Sequence, residues 1–584
     1  MMSLGRPGSL VVLVSAAMLV VAASLSAADP QKLPGSDIIP PDRLASWIPG
    51  VTVGVPGGIP TDRNHLLDVT KDPYNADNTG AADTQPAIMK AIADAKEKEV
   101  VYLPAGTYRV DSGIRLVSKS NITIRGAGES TVIEAHLATG WVISVEGSGS
   151  SGFWNAQAKG IAITDGMARG SATLTVEDTS PFNVGQIIEI TELNDPKLPV
   201  LSTSGGWERV RKQKTSVVSK TATTLTIFPP LYWTLKSELS PAITYATGQV
   251  NGVGIEDLRI NAKNSKAAFV INFGLCYGSW IKNVHSQFAA NYHFSLTDSL
   301  FCEVRQCNLD ELNHVGSNGA GLLMAACSGG LIEDNIVFRC FPHLEINHGC
   351  SGNVFAYNFC ENNFTFGIMG CSINCNHGPH NSYDLYEGNV ASVFQNDGYH
   401  GSASEITAFR NWFHATCDTS EPKTDQFGRC VSLNRFSRNC SIVGNVLGRK
   451  GYTYIYDHGE SATGYQHRYI YNLGLPNVGN GVFEGFAPPW KDPLNSKQTT
   501  SNSFQELDRD VRATTILKGN FNYKDNAVPE SESLKGAKLP NSLYLKNKPA
   551  WFGNLNWPPF GPDTDFEKNK IPAQVRYEQL SKTK

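Results

Sequence analysis

No segment of this sequence carries the roughly twenty consecutive apolar residues that a membrane-spanning helix requires, so no helical span is expected in the mature chain. Charge is scarce as well. Charged residues make up 18% of the chain and the net charge is -4. That excludes the broad basic footprint of a nucleic-acid-binding protein. A chain so low in charge and so rich in Gly and aromatics is not a disordered one either. Cysteine is missing altogether before Cys276 and after Cys440. All twelve fall in that one stretch, an even number in a chain that reads as exported, so at least one disulfide is expected there. Stacked free thiols inside a repeat core are the alternative. Within the stretch, Cys371, Cys375, His377 and His380 have the ligand types of a zinc site, although export and loop-like surroundings argue against metal.

What is present begins with a leader. One charge, Arg6, precedes an apolar run from Leu10 to Val21, and small residues ending at Ala28 close it. This is the pattern of a secretory signal peptide, which leaves a secreted mature chain in the periplasm, on the cell surface or outside the cell. The remainder divides into an N-terminal extension (29–65), the start of a solenoid with a helix (66–139), an inserted β subdomain (140–250), the main solenoid (251–525) and a C-terminal tail packing on it (526–584).

The solenoid is read from a repeat. From residue 251 onward, short β-rich segments end in Asn beside an apolar or aromatic residue: Asn283, Asn308, Asn335, Asn358, Asn389, Asn411, Asn445, Asn472 and Asn520, with Asp257 in the same place earlier. The segments alternate as strands do and lack any sustained 3.6-residue apolar face, which excludes helical repeats. Most spacings, 22 to 34 residues, suit one coil of a parallel β-helix with loops of varied length. An Asn at each corner satisfies backbone groups where the chain bends. These asparagines are therefore structural.

Upstream, a helix is expected around Gln85 to Lys96, then a strand from Val100 running into Pro104, Gly106 and Tyr108, then Asn121 to Gly128 reading Asn-Ile-Thr-Ile-Arg-Gly-Ala-Gly. This run resembles the N-terminal signature of the pectate-lyase superfamily, with its rhamnogalacturonase-like and epimerase-like members. The resemblance, which with the later coils covers about two thirds of the mature chain, implies an all-β, right-handed parallel β-helix whose first coil is capped by a helix. It implies a polysaccharide partner but not a reaction, since the fold hosts lyases, hydrolases, epimerases and non-catalytic binders. The Gly-His-Gly and Arg-Ile-Lys motifs of the polygalacturonase subset are absent.

Chemistry is expected along a second register. His-Gly occurs at His348, His377, His400 and His458, respectively 10, 12, 11 and 14 residues before the Asn of its coil. Arg435 and Asp298 stand at similar offsets. Stacked coils place such residues above one another about 4.8 Å apart, and histidine is an uncommon packing choice. Acids flank the column: Glu345 and Asp397 lie three residues before a His-Gly, Asp457 directly precedes one, and Glu405 and Asp384 are close by. For β-elimination on a uronate, His400 or His348 would be the base. Arg410 and Arg435 would hold the sugar carboxylate, and calcium bound by Asp397 or Asp457 would do the same work. For glycoside hydrolysis, Glu345 and Asp397 would be the carboxyl pair. His377, His380, Glu405, Asp457, His458 and the ring of Tyr399 are the expected substrate contacts. Elimination on an acidic glycan is the leading expectation, with hydrolysis second and a non-catalytic glycan-binding or adhesion module third.

Overall fold

Short β-rich segments interrupted by bend residues fold into coils, not into flat sheets. A computed structural model describes residues 33–148, 160–198, 200, 207–313, 319–363, 372–397, 400–416, 429–457, 469–474 and 507–581. One coil shows the plan. The strand Leu331–Glu333 ends at Asp334, whose φ of 58° turns the chain. The strand Ile336–Phe338 follows, and after a loop comes Leu344–Asn347. Each strand pairs in parallel with its counterpart one coil on, as in Leu331 with Val354, Ile336 with Phe359 and Leu344 with Ile373. The result is a right-handed parallel β-helix, with Ile332, Val337, Leu344 and Ile346 turned into a continuous core.

The corner asparagines explain why the bend repeats. Asn335, Asn358, Asn389, Asn411, Asn445 and Asn520 are buried, and each follows a residue with positive φ: Asp334, Tyr357, Gly388, Arg410, Gly444 and Gly519. The Asn389 amide donates to Phe355 O (2.8 Å) and to Asn411 Oδ1 (2.9 Å), while its own Oδ1 accepts from Asn358 N (3.0 Å). Each side chain thus answers backbone groups that the turn would strand in an apolar interior.

Four expected members stand elsewhere. In the coil before Asn335 the ladder position is Cys307, whose N–H donates to Asn335 Oδ1 (2.9 Å), and Asn308 is one residue beyond it. Asp257 and Asn283 are the left-handed residues themselves, joined to each other at the surface (2.8 Å). Asn472 lies in the third strand of its coil, bonded to Ser432 Oγ (2.9 Å), so the ladder passes from Asn445 directly to Asn520. Equal sequence spacing identifies a coil but not which corner of it.

The ten described cysteines are free and buried, against the expected disulfide; Cys371 and Cys417 lie outside the described residues. Parallel stacking accounts for this, because a column of thiols can accept from backbone: Cys327 N–H donates to Cys350 Sγ (3.3 Å). Burial pushes the thiols of Cys302, Cys307 and Cys440 up to about 12. Nor does the zinc set assemble among the described residues, for Cys375 faces the core while His380 is held by Ser402 and Ser404.

At the start of the solenoid, the helix Gln85–Asp94 turns Ile88, Ala91 and Ile92 into the core. The insertion is a closed barrel of six antiparallel strands, from Ile161–Asp165 to Ala242–Tyr245. It begins later than residue 140, since Trp141–Glu146 still pairs with Phe269–Gly274 in the solenoid. Its strand Lys212–Lys220 and the residues before it lie against successive coils. Lys214 N donates to Ser328 Oγ (2.9 Å), His380 N donates to Val210 O (3.1 Å), and Arg211 meets Glu405 (3.0 Å). The tail is pinned by Tyr544 to Glu333 (2.6 Å), Arg576 to Asp334 (2.8 Å) and Arg410 to Asp563 (2.7 Å).

Candidate functional site

Alternation along the third strand of each coil decides what faces outward. Leu344 and Ile346 enter the core, so Glu345 points away from it, and Asn374, Gln395 and Ser432 stand in the same row on the following coils. At the ends of these strands the chain turns. There His348 takes a φ of 58°. The N–H of His377 donates to Ile346 O (3.0 Å) and that of His400 to His377 O (3.2 Å), which stacks the residues on consecutive coils.

Asp397 is the centre of this cluster. Its Oδ2 accepts from Asn374 Nδ2 at 2.6 Å and lies 2.7 Å from His377 Nδ1. Burial disfavours a charged imidazole at His377, yet the charges of Asp397 and then Glu345 overcome it and raise the group to about 9. His377 is therefore an imidazolium at neutral pH, seated between two carboxyl groups. Glu345 moves the other way: burial raises it, Asp397 adds to the rise, and His377 and the hydrogen bond from Asn347 (2.8 Å) oppose it. The His400 ring is 4.9 Å from that of His377. Burial first, then the neighbouring His377, lowers His400 to about 4; burial, Lys212 and the other two imidazoles lower His348 to about 3. Both are neutral rings at pH 7.

The barrel supplies the adjoining wall. The ring of Trp207 meets that of His348 edge-on at 4.9 Å, and Lys212, paired with Glu189 (3.2 Å), packs beside Gly349.

Residues 69–193 match the family model described as rhamnogalacturonase A/epimerase, pectate lyase-like. The resemblance to the pectate-lyase-like superfamily holds. No curated protein matches the sequence. Among solved structures, the chain resembles the tailspike protein gp49 of Pseudomonas phage LKA1, at 14% identity over 69% of this chain and 76% of that one (TM-score 0.42). It also resembles the tailspike gp61 of Pseudomonas phage phi297, at 14% identity over 68% and 78% of the two chains (TM-score 0.43). A third is the A-module of the Azotobacter vinelandii mannuronan C-5 epimerase AlgE4, at 14% identity over 71% and 98% (TM-score 0.31).

Of the residues expected from the sequence, Glu345, His348, His377, Asp397 and His400 are brought together. Arg410 is not. It occupies the asparagine corner, 1% exposed, and its guanidinium is taken by Asp563, Pro540 O and Phe560 O of the tail. Arg435 is 1% exposed, with its guanidinium 5.0 Å over the Phe436 ring. It follows Asn434, which donates to Asp397 O (2.5 Å). Glu405 joins the barrel to the solenoid through Arg211, and Asn439 also donates to it (3.0 Å). His380 is fully buried with its ring nitrogens on the hydroxyls of Ser402 (3.1 Å) and Ser404 (2.7 Å), and burial, then the nearby Arg211, push it well below the ordinary histidine value. Asp457 pairs with Arg512 (3.0 Å). Asp298 stands at the same kind of left-handed corner as His348 but meets Lys214 (3.5 Å). Tyr399 and His458 lie outside the described residues. No three His, Cys, Asp or Glu side chains converge as a metal site among the described residues.

Sequence reasoning missed Asn374 and Lys212. Asn374 had a signal, for it stands three residues before His377, as Glu345 and Asp397 do before His348 and His400.

Proposed function

We propose that this chain is an exported enzyme that hydrolyses a polysaccharide at the Glu345–Asp397 pair. The observation that carries this reading is the divergence of two carboxyl groups around one imidazolium. Glu345 is buried and pushed toward its protonated form, while Asp397 accepts from Asn374 and His377, contacts that favour a carboxylate. Two acids driven apart by their surroundings are suited to the roles of general acid and general base.

In this reading Glu345 protonates the glycosidic oxygen as the bond to the anomeric carbon breaks. Asp397 takes a proton from the water that attacks the same carbon from the opposite face. The rows of Glu345 and Gln395 are two strand spacings apart, roughly 10 Å before side-chain reach is counted, and Asp397 follows Gln395. That spacing suits inversion, for which carboxyl groups stand about 6.5–9.5 Å apart, better than retention at about 5–5.5 Å. His377 orients Asp397 and holds the local charge in balance.

Elimination on a uronate is the second reading, favoured by the neutral His400 ring 4.9 Å from the cationic His377. It loses the two arginines expected to clamp the sugar carboxylate, since both are buried. Incubation with a panel of acidic and neutral polysaccharides, with reducing ends and absorbance near 235 nm followed together, separates the readings. Reducing ends without absorbance are expected. A joint rise on a uronate polymer means elimination, and silence across the panel means a binding module.

A further inference from the structure

The barrel interrupts the solenoid early in the sequence, yet it docks beside the carboxyl pair. Its contacts are built rather than incidental. Asn194 Nδ2 donates to Trp207 O (2.9 Å) and Val210 N donates to Asn194 Oδ1 (3.1 Å), which clips the turn carrying Trp207 to the barrel. Arg211 and Glu405, Lys214 and Asp298, and His380 N and Val210 O then fix that stretch on three different coils. The outcome is a half-buried indole set edge-on against His348, on the coil that carries Glu345. Trp233, by contrast, is 4% exposed, bonded to Glu192 (2.9 Å) and covered by Arg211, so it is packing.

We infer that Trp207 is a stacking platform for a sugar ring next to the cleavage pair, and that the ring it takes is uncharged. This rests on the hydrolase reading of the same site. The indole meets the imidazole at 62° and stays only half-buried, which leaves apolar ring surface for the C–H side of a pyranose, and such a flat apolar surface beside a few placed polar groups is the usual makeup of a ligand site. The charge balance selects the kind of sugar. Three cations of this region are paired with carboxylates, Lys212 with Glu189, Arg211 with Glu405 and His377 with Asp397, and Arg209 is held by Thr191 Oγ1 (3.4 Å) and Ser240 O (2.8 Å). A uronate placed there would find its countercharge already engaged.

The test uses the full-length chain carrying Glu345→Gln, so that bound probe is not consumed. Cellohexaose, maltohexaose and chitohexaose serve as neutral probes, and hexamers of galacturonate and mannuronate as charged ones, with calorimetry and tryptophan fluorescence as readouts. At least one neutral probe is expected to bind and to quench fluorescence. Adding Trp207→Ala is expected to weaken that binding at least tenfold, while Trp207→Phe stays within about fivefold of the parent, with unchanged circular dichroism in both. Unaltered affinity in Trp207→Ala, binding of the uronate hexamers alone, or silence from every neutral probe overturns the inference. Reducing-end release by the unsubstituted chain is read separately. Binding at Trp207 without any turnover leaves the platform standing and removes the hydrolase.

Discussion

His377 shows how three groups can set one another's charge. Its imidazolium exists because two carboxyl groups outweigh its own burial. A group raised from its ordinary value near 6.5 to about 9 lends stability that is fully present below pH 6.5 and is lost as pH climbs through 9. Subtracting the melting temperature of His377→Gln from that of the parent across pH 5.5–10 should therefore give a gap that is widest at the acid end and closes near the alkaline end. A gap that widens with pH contradicts the assignment. Glu345 and Asp397 were legible in the sequence through their fixed place three residues before His-Gly. The role of Arg410 was not, because its partner Asp563 stands 153 residues away in a tail without a repeat. Arg410→Ala is expected to loosen the tail, seen as faster proteolysis after residue 526, and to leave the rate of glycan cleavage within about twofold.

The corner ladder is the element on which the coils depend. Asn411 makes three kinds of contact at once, to Tyr386 O, to Asn445 Oδ1 and from Asn389. Asn411→Ala would strand several buried partners, each costing about 1–3 kcal/mol. Urea unfolding should show a loss of at least about 2 kcal/mol, and a loss under 0.5 kcal/mol would deny the ladder its structural part. The fold was readable from this element because the backbone requirement at a buried bend is the same in every coil, so the same residue type answers it. Asn472 marks the limit of such reading. The interval of 75 from Asn445 to Asn520 holds Asn472 at a plausible spacing, and only strand pairing shows that it lies in another sheet. The barrel was legible as β structure but not as a neighbour of the site, since what docks it is a set of single contacts between distant segments.

For the whole molecule, solenoid, barrel and tail meet through buried charge. Burial raises Glu333 and Glu387 to about 7, against the attraction of Arg305 for the first and the hydrogen bonds of Ser542, Leu543 and Tyr357 for the second. Both lie above the unfolded carboxyl value near 4.3, so the folded chain binds more protons, and this contribution to stability fades as pH rises from about 4 through 7. The melting temperature of a Glu333→Gln, Glu387→Gln chain should accordingly change less over pH 4.5–8 than that of the parent; a steeper dependence would place the two acids wrongly. The barrel sets Trp207 against His348, on the coil that carries Glu345 of the proposed carboxyl pair. The most direct test of that pair is reducing-end release from the polysaccharide that the panel identifies, measured side by side for the parent, Glu345→Gln and Asp397→Asn. Loss of about 10²–10⁴-fold in each variant, with melting temperature held, is the predicted result, and parental turnover in either one would contradict the assignment of the pair.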